Sequence, residues 1–89
     1  MFITYPEWQG LPLIPTKAAM SELLKLNLTL HDVGVVLKHG EAGKRRKEGV
    51  YERSLAKGKK RIKVVVARSY NYSFKTECWV IVHVGLTKR

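Results

Sequence analysis

The sequence predicts a single α+β domain in which two N-terminal helices pack on a three- to four-stranded antiparallel sheet, a helix-helix-meander. Three observations predict it. Apolar residues recur at helical spacing between residues 16 and 39, the period falls to two after residue 50, and a glycine-bounded basic stretch separates the two regions. With 89 residues and neither an internal repeat nor a linker, residues 1–89 read as one unit that buries about 60–65% of the surface its unfolded chain would expose. One modest core is what that length supports.

Residues 1–15 hold Pro6, Gly10, Pro12 and Pro15 among apolar residues, which predicts an extended N-terminal arm with at most a short strand. Phe2, Tyr5, Trp8, Leu11 and Ile14 are placed to pack it onto the domain. Residues 16–40 form the helix pair. Thr16 stands as an N-cap ahead of Ala19, Met20, Leu23 and Leu24, and Asn27 with Leu28 breaks the pattern. Thr29 and Asp32 have the spacing of a capping box, with Asp in the usual Glu position. Leu30, Val33, Val36 and Leu37 then line one face of a second helix over residues 30–39, and Gly40 sits where a left-handed C-cap belongs.

The three glycines and the charge of residues 40–49 predict a loop. Residues 49–85 form the antiparallel sheet. Residues 50–55 alternate, with Tyr51, Arg53 and Leu55 on one face. Gly58 lies in a turn, and residues 61–70 make a second, β-branched strand with Ile62, Val64, Val66, Arg68 and Tyr70 on one side and Arg61, Lys63, Val65 and Ala67 on the other. After a turn at residues 71–73, the apolar run of residues 78–84 has the composition of a central strand, and Gly85 with the polar tail ends the sheet.

Charge narrows the partner. Of the seventeen Lys and Arg residues, twelve fall between residues 38 and 68 against only Glu41, Glu48 and Glu52, which concentrates +9 of the +10 net charge there. A localised field of that size attracts polyanions, because each neutralised phosphate releases condensed counterions. RNA or another nucleic acid is therefore the leading partner. An acidic protein partner, such as an antitoxin-like tail, is the alternative. The lone Cys78 cannot close an internal disulfide, no Cys/His group has zinc-finger spacing, and no apolar run approaches the ~20 residues of a membrane span. These features predict a cytoplasmic protein with no membrane association, no metal site and no cofactor. A homodimer through the arm or a sheet edge is compatible with the sequence.

The segments Asp32-Val33-Gly34-Val35-Val36-Leu37-Lys38-His39-Gly40-Glu41, Val50-Tyr51-Glu52-Arg53, Ile62-Lys63-Val64-Val65-Val66 and Trp79-Val80-Ile81-Val82-His83-Val84 resemble a group of small toxin-like domains of unknown function. Those look like relatives of the RelE and barnase-like ribonuclease toxins, whose shared core is helices on an antiparallel sheet. The resemblance covers residues 16–85 and implies that fold, with RNA as ligand. Members often carry a histidine near the start of the first helix, where this chain has Lys17-Ala18-Ala19. No cutting residue carries over.

Metal-independent RNA cleavage needs a base for the 2′-hydroxyl, an acid for the leaving oxygen and cations for the phosphate. His83 and Tyr70 are the catalytic candidates; His31, His39, Glu48 and Glu52 are further titratable groups. His83 alternates with Trp79 and Ile81, which places it in a groove on the sheet, although a structural histidine at a strand end is the simpler reading. The phosphate-binding candidates are Lys44, Arg45, Arg46, Lys47, Arg53, Lys59, Lys60, Arg61, Lys63 and Arg68, beside Lys57. The blander reading is a solvated loop for residues 44–47 and, for Arg53 and Arg68, stems that snorkel to solvent or pair with Glu52 or Glu77. Tyr70 and Tyr72, flanking Asn71 in a polar turn, are the best base-stacking candidates. Convergence of His83 or Tyr70 with Arg53 and Arg68 in one pocket points to a ribonuclease; a basic sheet without such convergence points to binding alone.

Overall fold

The structure, a computed structural model, describes residues 5–43 and 48–88, the last by its backbone. It contains, in chain order, β1 (Glu7–Trp8), β2 (Leu11–Pro15), α1 (Lys17–Leu26), α2 (Leu30–His39), β3 (Glu41–Ala42), β4 (Val50–Lys57), β5 (Lys60–Asn71) and β6 (Thr76–Lys88). The strands form one six-stranded sheet in the order β1-β2-β6-β5-β4-β3, curled into a half-barrel with the two helices.

This corrects the predicted helix-helix-meander on a three- to four-stranded antiparallel sheet. The meander β3-β4-β5-β6 is antiparallel, but β2 joins β6 in parallel, with Leu13, Ile14 and Pro15 opposite Trp79, Val80 and Ile81. The expected arm is therefore a hairpin built into the sheet. Its loop is Gln9-Gly10, and both residues take positive φ, 51° and 79°, as a type I′ connection requires. Prolines normally mark a sheet edge, yet β2 lies inside. It pairs with β1 only at Leu11 and Pro12 and with β6 only from Leu13 onward, so each side of the strand is used over a short stretch.

Both helices begin as their sequences require. The Thr16 hydroxyl accepts from Ala19 N–H, and Thr29 and Asp32 form the full capping box, an arrangement that stabilises a helix start by about 1 kcal/mol. Asn27 ends α1 in the left-handed region at φ 57°. Gly40 does not, with φ −77°. Glycine is needed there because a Cβ would collide with the Val36 carbonyl and stand 2.6 Å from that of Ser54.

The core lies between the helices and one face of the sheet. Ala19, Leu23, Val33, Val36 and Leu37 pack on Leu13, Ile62, Val64, Val66, Trp79, Ile81 and Val84. The cross-strand register puts Tyr51, Arg53 and Leu55 on this helix side, and Arg61, Lys63 and Val65 on the outer side, as their alternation predicts. Beyond Ile81, α1 replaces β2 along β6. The Thr16 N–H and hydroxyl both donate to the Ile81 carbonyl at 3.2 Å, and Glu22 Oε1 accepts from Val84 N–H at 3.3 Å.

Two details of β6 depart from expectation. Gly85 lies inside the strand rather than at its end. The register also shifts from Val66 opposite Ile81 to Val65 opposite His83, so Val82 bulges and the alternation inverts. Val84 then joins the core, and His83 turns to the outer side, away from Trp79 and Ile81.

Candidate nucleic-acid interface

The helix side of the sheet extends past the helices at one end, where aromatic rings and arginines replace the aliphatic core. Trp79 is buried there, and its indole N–H donates to the Trp8 carbonyl at 3.0 Å. Trp8 and Tyr51 stand 4.9 Å and 5.3 Å from the Trp79 ring, in tilted and edge-on contact. The Arg53 guanidinium lies 5.6 Å from the Trp8 ring centre and 5.9 Å from that of Tyr51, and Arg68 lies 5.5 Å over Trp79. The two arginines thus flank one aromatic cluster, on the shared sheet surface their positions predict.

Their partners differ. Arg68 Nη2 pairs with Glu77 Oε2 at 2.8 Å, and its backbone N–H donates to the Gly49 carbonyl, which ties β5 to the chain entering β4. Arg53 Nη1 donates to the Glu52 carbonyl at 3.3 Å, so the hydrogen bond of its head group falls on a neutral oxygen. Beyond Arg68 the platform continues to solvent: Tyr70 contacts Tyr72 edge-on at 5.0 Å, and Tyr51, Tyr70, Tyr72 and Phe74 are all exposed. The tip holds its shape because Phe74 N–H donates to Asn71 Oδ1 and Lys75 supplies a positive φ of 52°.

The outer face carries cations of another kind. Arg61 donates to Ser54 Oγ and pairs with Glu41 at 2.8 Å, while Lys63 Nζ stands 3.4 Å from Glu52 Oε1. Glu52 also overlies Gly43, where a Cβ would strike its carboxylate. Lys59 and Lys60 are exposed at the β4–β5 turn. Lys44, Arg45, Arg46 and Lys47 lie outside the described residues.

The two catalytic candidates do not come together. Tyr70 is on the helix side opposite Glu77, whereas His83 is on the outer side opposite Val65. His83 Nδ1 stands 2.9 Å from Glu22 Oε2, the carboxylate that also receives Val84 N–H. The pair borders an open cleft of about 290 Å³ between α1 and β6, together with Lys25 and Leu86. Gly85 leaves room for the imidazole, since a Cβ there would sit 3.1 Å from Nε2. Cys78 is buried and free, and burial pushes its thiol pKa up, which makes it a packing residue rather than a nucleophile.

Sequence reasoning missed Trp8 as a member of the platform and Glu22 and Glu41 as partners of His83 and Arg61, whereas the pairing of Arg68 with Glu77 is one of the two it offered for the sheet arginines. Among the missed residues a readable signal existed only for Trp8, which immediately precedes the Gln9-Gly10 turn. No helix among the described residues is long and apolar enough to cross a membrane. Compared with known proteins, the chain matches no family model, no curated protein and no solved structure.

Proposed function

We propose that the protein binds single-stranded nucleic acid, RNA above all, on the helix-side end of its sheet, and that it does so without cutting. The observation that carries this reading is the placement of Arg53 and Arg68 against an aromatic cluster that continues into the exposed rings of Tyr51, Tyr70 and Tyr72. Stacking on exposed rings is sequence-tolerant, because every base has a π-face, and arginine beside it reaches the phosphates. A net charge of +10 supplies the long-range attraction. The separation of His83 from Tyr70 by the thickness of the sheet favours binding over cleavage, since an acid and a base must both reach one phosphodiester. A cytoplasmic setting belongs to the same proposal, and the free buried thiol of Cys78 suits a reducing compartment.

The test is fluorescence anisotropy of a labelled single-stranded RNA with the whole protein across a salt series, followed by a denaturing gel of the same samples. Binding that weakens linearly in log–log form with salt, and an intact RNA, are the expected results. An absent or salt-independent shift removes the nucleic-acid reading; shortened RNA replaces binding alone with a nuclease.

A further inference from the structure

We infer that the β4–β5 turn is a phosphate clamp: a lysine cluster that repels itself in the free protein and is relieved when a nucleic-acid backbone lies across it. The inference rests on the nucleic-acid reading above and adds to it a second contact point with a separate role. A two-residue connection, Gly58-Lys59, sets the turn, with Gly58 at φ 63°. That tight connection fixes the register so that Lys57 stands directly opposite Lys60, and in the next pair of strands Lys60 stands opposite Lys88. Like charges directly opposite one another destabilise a sheet. The Lys57–Lys60 pairing is of that kind.

Among the described residues no carboxylate pairs directly with the turn lysines. Lys57, Lys59 and Lys60 are exposed. Asp32 attracts Lys57 from the α2 cap, where its Oδ2 accepts from the Thr29 N–H at 2.8 Å and the Thr29 hydroxyl at 3.1 Å, but it forms no ion pair with the lysine. One step along β5 the design changes, because Arg61 and Lys63 each have a glutamate. Glu41 and Glu52 thus quiet the outer face, while the turn lysines have no ion pair among the described residues. A sheet selected for stability alone would place an acid in one of the three lysine positions. A surface that receives phosphates gains from keeping them all.

The turn is also remote from the stacking platform. Six residues of extended chain separate Tyr51 from Lys57, about 20 Å at ~3.3 Å per residue. A ligand touching both ends is therefore several nucleotides long, with bases held at the aromatic end and backbone held at the lysine end.

The experiment compares the full-length wild type, the triple variant Lys57→Gln/Lys59→Gln/Lys60→Gln and the outer-face double variant Arg61→Gln/Lys63→Gln. Two quantities are measured: the slope of log affinity against log salt for labelled oligouridine, and the melting temperature of the free protein at low salt. At ~0.7 per phosphate contact on a single strand, the triple variant flattens the slope by about 2, and the outer-face variant flattens it by less than ~1. Without ligand, the triple variant melts about 2–5 °C higher than the wild type. An unchanged slope, an equal flattening by the outer-face variant, or a melting temperature that stays level or falls overturns the clamp while leaving wild-type binding intact. Loss of salt-dependent binding in the wild type itself overturns the underlying nucleic-acid reading, and the clamp with it.

Discussion

The two faces of the β4–β5 hairpin carry the same kinds of cation in opposite settings. On the helix side Arg53 lies over Trp8 and Tyr51 with its hydrogen bond on a neutral carbonyl, and Arg68 lies over Trp79 while also pairing with Glu77; on the outer side Arg61 and Lys63 lie against Glu41 and Glu52, so the contrast is sharpest between Arg53 and Arg61. A ring attracts a guanidinium without cancelling its charge, so the cation remains available to a phosphate. A carboxylate leaves little to offer. On the proposed reading, the density of basic residues along the chain is a poorer map of where a polyanion would land than the distribution of the few acids.

The largest way to break this contrast is to remove the scaffold of the helix side. Trp79→Ala deletes a buried ring and orphans the Trp8 carbonyl, and is expected to cost about 3–5 kcal/mol of stability by urea unfolding. A loss under ~1 kcal/mol means that the aromatic cluster does not hold β1 to the sheet. Next in size are Tyr70→Ala and Tyr72→Ala, each expected to weaken RNA binding by about 1–3 kcal/mol per stacked base, with unfolding midpoints nearly unchanged because both rings are exposed. Arg53→Gln is expected to weaken binding about tenfold, through the loss of a charge-assisted phosphate contact worth ~1.5 kcal/mol. Equal effects of Arg53→Gln and Arg61→Gln in the same anisotropy assay erase the distinction between the faces.

Two smaller effects sharpen it. Glu41→Gln releases Arg61 and is expected to tighten RNA binding by about two- to threefold at low salt, an effect that fades as salt screens the exposed charge. Asp32 tests the cap that keeps its acid occupied. The Thr29 backbone N–H, followed by the Thr29 hydroxyl, holds the Asp32 carboxyl below its ordinary value of 3.8, and Lys57 and His31 add to the lowering. A depressed carboxyl contributes stability that is present above the unfolded value and lost as pH falls through the folded one. Urea midpoints of the wild type should therefore decline more steeply than those of Asp32→Asn as pH drops below about 4.

The parts of this fold that sequence reveals are those written in local chemistry. The Thr16 cap, the Thr29 and Asp32 box and the bounds of α2 follow from residues within one helical turn of each other. The shared face of Tyr51, Arg53, Ile62, Val64, Val66, Arg68 and Tyr70 follows from strict alternation on either side of a two-residue turn. What escaped depends on distant partners. Pro12 and Pro15 argue against a central strand, and only the exposed backbone edge of β6 at Trp79, Val80 and Ile81 makes one of the segment around them. The bulge at Val82 has no marker in an unbroken apolar run, yet it reverses the side on which His83 stands and separates it from Tyr70. The pairing of Arg61 with Glu41 spans twenty residues and could not be chosen from composition.

The most direct test of which face meets the ligand is a titration of the ¹⁵N-labelled protein with oligouridine, followed by amide chemical shifts. The expected perturbations cluster at Tyr51, Arg53, Arg68, Tyr70 and Tyr72, with a second group at Lys57, Gly58, Lys59 and Lys60. Shifts centred on Ile14, Lys63, Val80 and His83, or no shifts at all, contradict a helix-side interface.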